Sequence, residues 1–335
     1  MIRPLFPVQD STLAADALAA WIGAQYDLPG PATCRFHRKG ICDTYRITAG
    51  NQAWYLKIYK HGRRTALDVA EEVRLLNHLS DRGVSVAAPL VRRDGRYVSQ
   101  LDAPEGVRYA VLYTAATGTH GDDGDLGRIR SLGEMVGRVH LCADEMREPY
   151  QRTHLDMTHL IDDNLAVIAP FMAHRPDDLA VIRQIAEDCR HRVSELLPRT
   201  KPAYGICHGD LHGGDVCYNS DGMPILFDFD SSGCGWRALD IGVFLASDAW
   251  MDVSSEAEQR RQRKLAALLE GYAVHRCLTD DELSIVQLGP PVRHIFLMGH
   301  VLRHTAGQQG AHWADDGFID WHMTWFRHWS KTNRE

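Results

Sequence analysis

One stretch of the chain holds most of its chemistry: Ile206 to Asp240, ICHGDLHGGDVCYNSDGMPILFDFDSSGCGWRALD. Asp210 follows His208-Gly209, Asp215 comes five residues later, and Asp228 and Asp230 flank Phe229 after the apolar run 224–227. The Asp221-Gly222 pair between them predicts a hairpin that brings carboxylates toward one end. Converging carboxylates repel one another unless a cation lies between them. Mg²⁺ is the hard ion that such oxygen ligands hold, commonly with phosphate oxygens completing the shell. HGD or DFD alone is common by chance. In this order, after a strand lysine (Lys57) and a helix glutamate (Glu72), they point to metal-assisted chemistry on a phosphate compound.

The elements that must position these groups are legible in outline. Leu13, Leu18, Trp21 and Ile22 predict a helix over 12–27, stopped by Pro29-Gly30-Pro31. Residues 34–59 alternate as strands around Ala49-Gly50-Asn51, which places Lys57 inside an otherwise apolar strand, where a lysine is rarely buried unpartnered. Residues 65–81 predict a helix with Val69, Val73, Leu76 and Leu79 on one face and Gly83 at its end; Glu72 lies near that face and Glu71 is its neighbour. Strands follow at 96–101 and 107–114. From Gly118 the pattern turns helical: 129–144, 157–173, 177–196, and from 238 onward, interrupted by the strand-and-loop island 204–234. The fold class expected is α+β and two-lobed, a small β-rich lobe over 1–115 and a larger helical lobe over 116–335.

The segment HGDLHGGD…LFDFD…G…ALD resembles the aminoglycoside phosphotransferase and choline-kinase-like kinases, whose pattern is HGDxxxxN, a strand and DxD. The likeness extends over most of the chain, and WYLKIYK with AEEVRLLNHLSDRGVSVAAPL is similar to homoserine kinase type II and stress-response kinase members. The resemblance implies a protein-kinase-like fold, ATP and Mg²⁺. It implies that Lys57 pairs with the α and β phosphates and is oriented by Glu72. Asp210 would accept or orient the proton of the attacking hydroxyl, Asp228 would hold metal, and Asp215 and Asp230 would be further metal ligands. His208 and Asp240 would be structural, Asp240 tying the catalytic loop by hydrogen bonds. Val111 and Tyr113, in the hinge 111–114, would present backbone groups to the base. The turn Arg38–Asp43, with Lys39 or Arg38 assisting, would cover phosphate despite having one glycine.

One position departs from the family: Asp215 stands where the pattern has Asn, adding a negative charge beside Asp210 and Asp228. That leaves a weakened enzyme or nucleotide-binding pseudokinase as one alternative, and a stress-response protein serine/threonine kinase as another. The main expectation is a small-molecule O-phosphotransferase. Asp122, Asp123, Asp125, Asp162, Asp163, Asp248 and Asp252 could greet an amine-bearing acceptor, and Trp321, Trp325 and Trp329, with Trp313, could pack the core or form an aromatic wall. Segment 145–200 is long enough to wall an acceptor pocket. A net charge of −7 argues against nucleic acid as partner. No apolar run nears the ~20 residues a bilayer span needs. The opening residues lack a signal-peptide core, and eight scattered cysteines without a CxxC pair read as reduced thiols, so the cytoplasm is the expected location.

Overall fold

The computed structural model describes residues 6–121, 124–247, 251–308 and 315–332. The chain forms two compact units, Met1–Thr117 with Ile225–Asp230, and Gly118–Pro224 with Ser231–Glu335. A boundary drawn along the sequence near 115 leaves 225–230 with the later residues, whereas packing groups it with the first unit. The sheet-then-helix α+β class expected from the sequence holds.

In the first unit, helix α1 (Ala15–Gln25) precedes strands β1 (Thr33–Lys39), β2 (Cys42–Ala49) and β3 (Gln52–Tyr59), helix α2 (Ala66–Asp81), and strands β4 (Ser99–Ala103) and β5 (Gly106–Thr114). The five strands form one antiparallel sheet in the order β1-β2-β3-β5-β4. Alternation sends Leu56 and Ile58 to one face, where they pack with Tyr45, Ile47, Ala110 and Leu112 against Leu18 and Ile22 of α1 and Tyr26 just after it. Lys57 points to the other face. A capping box of Thr65 and Asp68 starts α2, whose buried stripe is Val69, Val73, Leu76 and Leu79. Residues 225–226 attach through Leu226, which donates to Ser85 O (3.0 Å) and accepts from Ala87 N (2.9 Å).

The second unit contains β6 (Thr119–His120), α3 (Leu126–Ala143), α4 (Asp163–Phe171), α5 (Pro176–Leu196), β7 (Tyr204–Cys207), β8 (Val216–Tyr218), the start of β9 (Pro224–Leu226), β10 (Gly233–Trp236), α6 (Arg237–Ser247), α7 (Ser255–Tyr272), α8 (Asp280–Val286), α9 (Gly289–Gln308) and α10 (Asp316–Thr332). Strands β7 and β10 pair antiparallel, so the loops after Cys207 and before Gly233 emerge together. Among the described residues no helix is long and apolar enough to cross a membrane.

Candidate active site

Two constellations carry the titratable groups, one in each unit. In the first, β3 delivers the Lys57 ammonium, buried, to three carboxylates: Asp228 Oδ1 at 2.5 Å, Asp230 Oδ2 at 3.5 Å and Glu72 Oε1 at 3.7 Å. Burial alone would favour the neutral amine, but the three acids outweigh it and hold the ammonium pKa well above its usual value. Glu72 on α2 is itself clamped. Tyr59 donates to its Oε2 (2.9 Å) and Tyr113 to its Oε1 (3.3 Å). Burial and this carboxylate push both phenols well above their ordinary pKa. Glu71 turns elsewhere and pairs with Arg74 at 2.6 Å. Asp228 has φ +65°, a left-handed conformation uncommon outside glycine and concentrated at functional sites.

Two features of this unit, the hinge backbone and Lys39, differ from the sequence reading. Leu112 O accepts from Leu90 N (2.7 Å) and Thr114 N donates to Ala88 O (2.9 Å). Backbone groups of successive strand residues face opposite edges, so those of Val111 and Tyr113 face β3, opposite Lys57 and Tyr55. They offer no free edge to a base; the backbone beyond the ladder begins at Ala115. Lys39, expected near phosphate, pairs with Asp10 at 2.9 Å. Cys42, in the same turn, is buried with its thiol pKa pushed up, and donates to Asp230 Oδ2 at 3.6 Å.

In the second unit, the loop after β7 is held from below by Asp240 of α6. Its carboxylate accepts from His208 N (2.9 Å), Gly209 N (2.8 Å) and His140 Nε2 (3.1 Å). Burial would raise the Asp240 pKa, but the bonds from His140 and the loop amide bring it below the ordinary carboxylate value. An ionised Asp240 requires the hydrogen on His140 Nε2, so Nδ1 accepts from the Tyr272 hydroxyl at 3.0 Å. Asp240 has the structural tie assigned to it from sequence. Gly209 has φ +82°, and a Cβ there would lie 2.2 Å from Ser231 O, so only glycine lets the loop pass.

Asp210 follows, half-buried. Arg293 of α9 donates to its Oδ1, and its own amide reaches His208 Nδ1 at 3.3 Å. His212 accepts from Gly214 N on Nδ1 (2.9 Å), which leaves Nε2 to carry the hydrogen toward Asp215 Oδ2 at 3.3 Å, with Asp210 Oδ1 at 3.9 Å. One ligand atom each from Asp210, His212 and Asp215 falls within 4.8 Å of the others, but with Nδ1 accepting from Gly214 N and Nε2 protonated, His212 has no lone pair left for a metal, so the oxygen donors of this loop are the two carboxylates. His140, Cys207 and Asp240 also cluster, but both oxygens of Asp240 are already engaged by hydrogen bonds.

The acids read as acceptor contacts have other partners. Asp125 caps α3, accepting from Gly127 N (2.8 Å). Asp162 pairs with Arg190 at 2.6 Å, and Asp252 accepts from Ser254 N (2.9 Å). Asp163 is exposed, 4.0 Å from His159. Asp122, Asp123, Asp248 and Trp313 lie outside the described residues. Sequence reasoning missed Arg293, His140, Tyr59 and the hydroxyl role of Tyr113, which it had named for its backbone. Tyr59 had a signal, standing two residues after Lys57 on the same strand face; Arg293 had none.

The phosphotransferase enzyme family model (APH) matches residues 33–278. An uncharacterized protein of Synechocystis sp. is 38% identical over 242 residues, covering 72% of this chain; the chain spans 66% of that protein's length. An uncharacterized protein of Deinococcus radiodurans is 31% identical, covering 97% of this chain and 93% of its own. A homoserine kinase of Janthinobacterium sp. is 25% identical, covering 81% and 80%. Among solved structures, amicoumacin kinase hAmiN in complex with AMP-PNP, Ca²⁺ and Ami has a TM-score of 0.75 at 21% identity, covering 92% of each chain. A microcompartment-associated aminopropanol kinase has a TM-score of 0.77 at 19% identity, covering 95% and 98%. At these identities the structural likeness shows the fold.

Proposed function

The chain belongs to the phosphotransferase enzyme family, and from that premise we propose that it transfers the γ-phosphoryl group of ATP to a hydroxyl of a small-molecule acceptor, with Mg²⁺ as the metal. The observation that carries this is the convergence of Lys57, Glu72, Asp228 and Asp230 within one unit; the other unit carries the carboxylates Asp210 and Asp215 on one loop. Lys57 holds the α and β phosphates and the Tyr-clamped Glu72 orients it. Asp228 and Asp230 would hold the metal, with Asp215 assigned as a further ligand from the family pattern, and the metal would neutralise charge on the phosphates. Backbone of 115–117, rather than Val111 or Tyr113, meets the base. The acceptor oxygen attacks the γ-phosphorus, the bond to the bridging oxygen breaks, ADP leaves with its electron pair, and the hydroxyl proton passes to Asp210. Leu155 and Leu160, from the segment read as an acceptor wall, line a cavity beside Gly209, which favours a small molecule over a polypeptide. Cytoplasmic placement, where ATP is supplied and thiols stay reduced, completes the proposal; all eight cysteines are free.

The test is a pair of variants read separately. Asp210→Ala is expected to lower turnover ~10²–10⁴-fold with ATP affinity nearly unchanged. Asp228→Ala is expected to abolish Mg²⁺-dependent ATP binding in calorimetry. Near-wild-type turnover in the first, or intact Mg·ATP affinity in the second, removes the assigned role. Turnover gained by Asp215→Asn from an inert parent would favour the pseudokinase alternative.

A further inference from the structure

Resting on the phosphotransferase reading, we propose that Arg293 selects acceptors that carry a carboxylate near the hydroxyl to be phosphorylated, exchanging its bond to Asp210 for one to the acceptor. Arg293 projects from α9, is largely buried, and lies over the Phe296 ring at 5.5 Å. Asp210 is its polar partner among the described residues, engaged through Nη2. A guanidinium has five N–H donors in a planar fork that matches a carboxylate with two parallel bonds. Nε and Nη1 therefore remain to receive a second anion.

The space beside it is shaped for one. A cavity of about 30 Å³ is lined by Leu155, Val243, Val292 and Phe296 around Arg293 and Gly209. A water-sized group needs ~10–15 Å³, so the cavity admits a group of carboxylate size and little more. Its lining is mostly apolar, and its one acid, Asp240, has both oxygens taken by the loop amides. A charged group entering there meets a cation. Meanwhile three of the described acids that would attract an amine are spent on helix caps and ion pairs. While Arg293 holds Asp210, one carboxylate oxygen, Oδ1, is occupied by the guanidinium. An arriving carboxylate takes over the guanidinium and leaves Asp210 to receive the hydroxyl proton. The charge gained by the acceptor's anion at Arg293 thus replaces the charge pair that is given up.

The experiment uses the full chain with Mg²⁺ and ATP, following ADP release, on matched acceptors that differ only by the carboxylate: L-homoserine against 3-aminopropan-1-ol, and L-serine against ethanolamine. The wild type is expected to favour the acid member of at least one pair by ~10- to 100-fold in kcat/KM, the worth of a charge-assisted bond. Arg293→Met should collapse that ratio to within ~3-fold of unity, and Arg293→Lys should retain part of it, with Mg·ATP affinity reporting that each variant is folded. A wild-type preference for the amines lacking a carboxylate, or an unchanged ratio in Arg293→Met, overturns the inference. So does turnover of none of these acids by a protein that binds Mg·ATP, which leaves the phosphotransferase reading intact. Failure of the wild type to bind Mg·ATP at all overturns that reading first.

Discussion

Replacing Asp240 by alanine removes the side chain that ties the backbone amides of the catalytic loop to α6. Its two oxygens accept from His208 N, Gly209 N and His140 Nε2 at 2.9, 2.8 and 3.1 Å, all at a buried site. Hydrogen bonds to a charged acceptor contribute about 1.5–3 kcal/mol each. Some of that sum is returned because the variant no longer buries a carboxylate, so the expected net loss is about 3–5 kcal/mol, the range for removing one member of a buried charged network. Against a total stability of about 5–15 kcal/mol, urea melts will show this plainly. Asp240→Asn keeps the volume but sets an amide N–H against one backbone donor, so its loss should be intermediate. Function falls further than stability implies, because Asp210 sits one residue beyond the tied amides. At temperatures where the variant is folded, kcat should drop ~10²-fold, the cost of a misplacement near 1 Å, while ATP affinity holds. Asp240→Ala within 1 kcal/mol of wild type, with kcat within threefold, would refute the reasoning.

Other perturbations test neighbouring parts. Gly209→Ala puts a Cβ 2.2 Å from Ser231 O at φ +82°, so stability should fall by about 1–3 kcal/mol and turnover with it; a crystal structure with Asp210 unmoved would contradict this. Tyr59→Phe with Tyr113→Phe removes the two phenol donors to Glu72. The KM for ATP should rise ~3- to 10-fold with kcat little changed, since the lost bonds are worth about 1 kcal/mol each; an unmoved KM argues against the clamp. His322 is buried and its pKa falls from 6.5 to about 4 because burial disfavours the charged ring. The folded state thus resists a proton that the unfolded chain accepts: stability is whole above about pH 6.5 and is lost as the pH falls below it. Lowering the pH from 7.5 to 5 should cost about 2 kcal/mol through this residue. His322→Phe, packed against Phe318 and Trp321, should remove that part of the slope in urea melts at the two pH values. His140, also buried neutral, adds loss of the same sign.

The part of the site visible in the sequence is the part whose members are near one another along the chain, or whose residue type conflicts with its surroundings. Asp210, Asp215, Asp228, Asp230 and Asp240 fall within one stretch of strands and turns, and Lys57 stands out as a charge in an apolar strand. Arg293 is 83 residues from Asp210, on a helix whose local pattern says nothing of its partner. Asp125 and Asp252 have a local use that spacing does not reveal: a carboxylate near a helix start satisfies free N–H groups before it meets any ligand. The tryptophan stripe divides because a repeat of four residues advances about 40° past a full turn each time. Trp321 is therefore exposed, Trp325 is buried against His294, and Trp329 is half-buried on Trp325. Asp215 illustrates what sequence spacing omits in the other direction. Read alone, it adds an uncompensated charge where the family pattern has Asn. In the fold, Gly214 N fixes the His212 tautomer so that an N–H faces Asp215 at 3.3 Å. The extra carboxylate thus brings a donor with it, so part of the charge that the substitution adds is balanced within its own loop.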